Sequence, residues 1–142
     1  MFETIHGEIM MKWLQGIFKP RPDSVEIKIK ELFRFLFDQY GFSYTKADLG
    51  DLCGKDGKLL FYGPLYAYQM FCDILCINVV YLVQRGDFDI YLTAKPSAKQ
   101  QYIFDGIRLP SELAYDLPRF ASEIRSELLR SGTIYGKTIE RG

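Results

Sequence analysis

Between residues 65 and 93 apolar and polar side chains alternate with a period of two, and β-branched and aromatic residues recur through the stretch. That alternation is the signature of strands with one buried face. Two interruptions, Cys72-Asp73 and Arg85-Gly86, divide the stretch into three runs and predict an antiparallel meander with two-residue turns. A slip of one residue turns every side chain to the other face, so the two hairpins must agree on which face is apolar. With Arg85-Gly86 as a loop, Val83, Tyr81 and Val79 oppose Phe88, Ile90 and Leu92 on an apolar face. Gln84, Leu82, Val80 and Asn78 then oppose Asp87, Asp89, Tyr91 and Thr93 on a mixed one. With Cys72-Asp73 as the other loop, Leu75, Ile77 and Val79 oppose Met70, Tyr68 and Tyr66 on the same apolar face.

Outside the meander the period lengthens to that of a helix. Phe2, Ile5, Ile9, Met10, Trp13 and Ile17 fall on one stripe, which predicts an amphipathic helix over residues 2–17, stopped by Pro20 and Pro22. Asp23 with Glu26 three positions on forms a capping-box-like start for a second helix. Its stripe is Val25, Ile29, Leu32, Phe33, Leu36 and Tyr40, and Gly41 supplies a left-handed stop. Ile27, Phe35 and Phe37 lie off that stripe, so this helix meets something on a second side, either the first helix or a partner. A short strand over residues 42–46 follows, then an Asp56-Gly57 turn ahead of the apolar run 59–62, with a break at Gly63-Pro64. After the meander come a polar loop over residues 94–101, a helical turn at Pro110-Ser111, and a last helix from Pro118 whose stripe is Phe120, Ala121, Ile124 and Leu128. The tail, residues 133–142, has no periodicity and is expected to be loosely held. The expected fold class is α+β: two N-terminal helices, an antiparallel sheet of about four or five strands, and a C-terminal helix on its apolar face.

Composition narrows the class. The chain's 142 residues suffice for one domain, residues 1–142, and 48% hydrophobic with 25% charged residues is ordinary globular usage. Lysine plus arginine equals aspartate plus glutamate at 18 each, so no overall field recruits nucleic acid or an anionic membrane surface. Three cysteines (Cys53, Cys72 and Cys76) form an odd set with no secretory framework, which predicts reduced thiols and a cytoplasmic protein. No run approaches the roughly 18 uninterrupted apolar residues of a membrane span.

Residues able to carry chemistry are few. His6 is the sole histidine, so a nucleophilic triad or an acid–base pair near neutral pH would have to recruit it from the first turns of the chain. Cys72 and Cys76 lack zinc-ligand spacing, and residues 50–56 miss a phosphate-binding loop by one residue and by Asp56 after Lys55. Arg85-Gly86-Asp87 spells a cell-adhesion tripeptide, but a tight turn accounts for it. Asp87 and Asp89 share a face about 7 Å apart, a spacing at which paired acids run hydrolysis, or else form a solvated edge. No cofactor or metal is expected. The mixed face, with an apolar centre rimmed by amides and carboxylates, has the anatomy of an interface; Asn78, Leu82, Gln84, Asp87, Asp89 and Tyr91 are its candidate partner-binding residues. The competing expectation is that the N-terminal helix covers Val80 and Leu82.

The order of a capped helix ending in Gln39-Tyr40-Gly41-Phe42, Tyr66-Ala67-Tyr68 after Gly63, and the run from Cys76 to Leu92 through Gln84-Arg85-Gly86-Asp87 resembles small bacterial immunity proteins of the polymorphic-toxin type, including those paired with contact-dependent growth inhibition toxins. The resemblance spans residues 25–128. It implies a non-enzymatic protein that binds and neutralises the C-terminal domain of a cognate toxin. Immunity proteins against nucleases are often acidic, and the charge balance here argues against a nuclease partner. The alternatives are a small enzyme using Asp87 and Asp89, or an oligomeric adaptor module.

Overall fold

A computed structural model describes residues 21–51, 64–96 and 106–141, the side chains of residues 50 and 51 excepted. The expected helix over 2–17, the turn at 56–57 and the apolar run 59–62, together with His6 and Cys53, lie outside the described residues. The fold is α+β, with two helices, a five-stranded antiparallel meander and a C-terminal helix. Helices α1 (Pro22–Leu32) and α2 (Arg34–Tyr40) precede strands β1 (Ser43–Asp51), β2 (Pro64–Phe71), β3 (Cys76–Leu82), β4 (Asp87–Thr93) and β5 (Ile107–Arg108). One short helix, α3 (Ser111–Ala114), leads into α4 (Leu117–Ser131), and a two-stranded hairpin, β6 (Thr133–Ile134) and β7 (Lys137–Thr138), follows it. Within the main sheet the order is β1-β2-β3-β4-β5. No helix among the described residues is long and apolar enough to cross a membrane.

The helix expected from Asp23 to Tyr40 is broken at Phe33, whose φ of −107° and ψ of 17° leave the helical region. Phe33 and Phe35 explain the break. In an unbroken helix they would point about 200° apart, yet both are buried, Phe33 edge-on to Phe120 of α4 at 5.8 Å between centroids. A turn out of register brings both rings to one core, and each such ring contributes on the order of 2 kcal/mol. Phe35 thus meets α4, with the Arg125 guanidinium 5.7 Å from its ring, and Phe37 stands edge-on to Tyr44 of β1. Ile27 is exposed. The start also differs from expectation: Arg21 is the N-cap residue and Pro22 opens the helix, with no side-chain cap. Glu26 is therefore no box partner; it accepts from the Tyr44 hydroxyl at 2.5 Å and lies 3.6 and 3.8 Å from the ammonium groups of Lys30 and Lys46, tying α1 to β1.

Neither meander turn is the expected one: the Cys72 N–H donates to the Leu75 carbonyl at 2.9 Å and closes the first around Asp73-Ile74, and the second is four residues long rather than two. Cys76 opposes Phe71 and Leu82 opposes Asp87, leaving 72–75 and 83–86 as the connections. For the second turn the reason is backbone conformation. A two-residue turn of the usual hairpin kind needs positive φ at its central positions, and among the described residues Tyr135 is the one non-glycine residue with positive φ. In the 83–86 connection only the last position, Gly86 at φ 75°, is left-handed, and its N–H donates to the Leu82 carbonyl at 2.8 Å. The shift is two residues in each hairpin, so every side chain keeps its expected face. Ile77, Val79 and Tyr81 meet Met70, Tyr68 and Tyr66 on one side and Leu92, Ile90 and Phe88 on the other.

This apolar face and the helices close around the larger core, which includes Val25, Ile29, Phe33, Tyr68, Tyr81, Ile90, Phe120 and Ile124. A second, smaller cluster occupies the opposite face: Ala47, Leu49, Leu65, Ala67, Val80, Leu82 and Tyr91. Every residue of β3 is buried, so the central strand is covered on both sides. The tail expected to be loosely held is instead anchored. Ile134 and Ile139 reach the larger core, and the Glu127 carboxylate of α4 accepts from the Thr133 hydroxyl and from the amides of Tyr135 and Gly136.

Candidate interaction surface

At the β3–β4 end of the sheet, four charged side chains alternate in sign. Arg85, exposed on the turn, places Nη2 2.9 Å from Oδ1 of Asp87 and Nη1 3.8 Å from Oδ2 of Asp89. Arg108, on edge strand β5, donates from Nη2 to the other oxygen of Asp89 at 3.0 Å. β5 can deliver that side chain because Gly106 lets the chain approach β4: a Cβ there would stand 2.4 Å from the Leu92 carbonyl oxygen. Asp89 is 2% exposed, and two guanidinium groups hold it. A buried carboxylate without them would cost several kcal/mol. Arg85 meets Asp87 Oδ1 at hydrogen-bonding distance, whereas at 3.8 Å it holds Asp89 Oδ2 by charge attraction alone.

These contacts set the protonation balance. Burial pushes the Asp87 carboxyl up, and the Arg85 guanidinium only partly reverses this, so the group stays above its ordinary value. For Arg85, burial pulls down but the two carboxylates outweigh it and raise the group. Arg108 is raised chiefly by its hydrogen bond to Asp89. Beside them Tyr91 is pushed up to about 12, first by burial and then by the charge of Asp89.

Further along the same face runs a polar ladder. Asn78, fully buried, accepts from Gln69 Nε2 at 2.7 Å and donates through Nδ2 to the Tyr91 carbonyl and the Thr93 hydroxyl, both at 3.1 Å. A backbone carbonyl can only accept, which fixes the amide's orientation. Gln69 and Tyr91 are the residues directly across from Asn78 on the neighbouring strands, so the register itself builds the ladder. Cys76 belongs here too: burial pushes its thiol up to about 12.

Of the six residues expected to bind a partner, Asn78, Leu82, Asp89 and Tyr91 are buried within the chain, and the mixed face is not an open surface. The correction has a physical reason. Its apolar centre is large enough to demand cover, and each polar group that suggested solvent has an internal partner: Gln69 for Asn78, Arg108 and Arg85 for Asp89. Gln84 and Asp87 remain at the rim, exposed and half-buried respectively. Asp87 and Asp89 do share a face, but with Arg85 beside both they form part of an ion-pair chain. Sequence reasoning missed Arg85 and Arg108 as members. The first could have been found two residues before Asp87 on the same turn; the second sits on a two-residue strand that no periodicity reveals.

Cys72 and Cys76 are free thiols, and among the described residues no three His, Cys, Asp or Glu side chains converge as metal ligands. Comparison with protein-family models, curated proteins and solved structures returns no match.

Proposed function

We propose that this chain is an immunity protein that neutralises a cognate bacterial toxin domain by stoichiometric binding in the cytoplasm, and that the β3–β4 turn carries part of the interface. The observation that carries this reading is the charged tip itself: Gln84 and Arg85 project from a turn whose carboxylates and guanidinium groups fix one another in place. Rigid, alternating charge at a protruding turn favours oriented encounter and selects against wrong partners, which suits a protein that must recognise one toxin quickly. The same observation weakens the reading of Asp87 and Asp89 as a catalytic acid pair. A general base or nucleophile needs an available lone pair and a pKa matched to its task, and Asp89 spends its charge on Arg108 and Arg85. The family resemblance of residues 25–128 supplies the partner class. Co-expression with the C-terminal domain of the proposed toxin tests the reading. Protection of growth together with an equimolar complex on gel filtration is the expected result; a toxin that kills undiminished and elutes alone would overturn it.

A further inference from the structure

The opposite end of the meander carries a second feature, which shares with the charged tip only strand β5, whose Arg108 side chain reaches Asp89. Where β4 leaves the sheet and β5 returns to it, an open groove of about 580 Å³ lies between the β2–β3 turn, the segment after Thr93 and the β6–β7 hairpin. Its floor is apolar, formed by Leu75 and Leu92, and two large side chains stand at its side unburied: Ile107 at 69% exposure and Tyr135 at 45%. The lining includes two charged residues among those described, Lys95 and Lys137, both exposed. Neither ammonium has an ion-pair partner among the described residues, in contrast to Lys30 and Lys46, which flank Glu26.

Two physical features restrict what such a groove takes. Lysines with no ion-pair partner among the described residues, beside an apolar floor, complement a ligand that offers carboxylates next to apolar side chains. The edge favours a polypeptide. Among the described residues β5 ends the sheet, and since the Leu109 amide points inward to the Ile90 carbonyl, alternation along the strand turns the amide and carbonyl of Arg108 outward. An extended segment laid along β5 could satisfy that outward pair while its alternate side chains enter the groove.

We propose that this groove is a docking site for an extended segment of a partner protein in which acidic and apolar residues alternate. The site is independent of the toxin reading, being at the other end of the sheet from Gln84 and Asp87. The test uses the full chain and a fluorescein-labelled peptide, acetyl-Glu-Leu-Glu-Phe-Glu-Leu-amide, with fluorescence polarisation for affinity and amide chemical shifts for location. The expected result is saturable binding, weakened at least tenfold in Lys95→Glu/Lys137→Glu and at least tenfold for the peptide with lysines in place of glutamates. Shifts should concentrate at Gly106, Ile107, Arg108 and Lys137. Ile107→Ser, a change at an exposed position that leaves the core intact, should weaken binding with the lysines still present. Absence of saturable binding, or equal affinity in the charge-reversed variant, would overturn the proposal. So would either alternative occupant: a concentration-dependent dimer that Ile107→Ser abolishes would make the groove a contact between copies, and displacement of the peptide by decanoate at stoichiometric levels would make it a site for small amphiphiles.

Discussion

Asn78 and Tyr81 lie on opposite faces of β3, three residues apart, and both are fully buried. The alternation in the sequence makes one a surface residue and the other a core residue, and only half of that is right. Tyr81 packs on Phe88 at 5.2 Å between ring centroids, so Tyr81→Asp places a charge in the larger core. Asn78→Asp is nearly isosteric, yet it removes the donor that serves the Tyr91 carbonyl and sets a negative oxygen against it. Both changes are expected to destabilise the protein, Asn78→Asp by about 3 kcal/mol or more, the range for a buried charge left facing an acceptor. Urea denaturation checks this; an Asn78→Asp midpoint equal to that of the parent protein would mean the mixed face is wet. The sequence did contain a warning. From Cys76 to Leu82 the single strongly polar residue is Asn78, and a near-continuous apolar run signals a strand covered on both faces.

Elements were legible to the extent that their signals were local. The α4 helix reads directly from Pro118 and the stripe through Leu128, and Gly132, left-handed at φ 71°, ends it. What the pattern could not give is its actual cap, Asp116, whose carboxylate accepts from the Arg119 amide. The break at Phe33 and the C-terminal hairpin were beyond it as well, because each depends on a partner outside its own element, Phe120 for the break. For the hairpin that partner is Glu127. Burial pushes its carboxyl up, but the Thr133 hydroxyl and the amides of Gly136 and Tyr135 together outweigh this and hold it below its ordinary value. A lowered carboxyl contributes stability that is present above the ordinary glutamate range and is lost as the pH falls through the folded value. Glu127→Ala should therefore speed hydrogen exchange at the Tyr135 and Gly136 amides at neutral pH by at least about tenfold, the loss of one charge-assisted hydrogen bond each. Residues in the middle of β3 should not change. Protection of the hairpin undiminished by the substitution would mean that Ile134 and Ile139 alone hold it.

At the scale of the whole molecule, a two-sided sheet separates what is structural from what is available to a partner. The charge balance of 18 against 18 conceals a local arrangement in which Asp89 is buried, Asp87 half-buried, and their arginines lie outside. Hence the surface at the β3–β4 end is set by Gln84, Arg85 and the rim of Asp87, while Asp89 is a support beneath it. A charge reversal at Asp89 would unfold the domain and say nothing about binding. Asp87 is the informative position. Its carboxyl is held above the ordinary value by burial, so the folded state gains nothing from ionising it, and stability rises rather than falls as the group is protonated. Asp87→Asn should thus leave the melting temperature unchanged or slightly higher, with Arg85 still beside Asp89. Calorimetric titration of this variant and the parent protein against the purified toxin domain is the most direct measurement. Equimolar binding by the parent, weakened at least about tenfold by Asp87→Asn as the loss of an interfacial charge requires, is the predicted result; equal affinity with an equal melting temperature would contradict it and remove the turn from the interface.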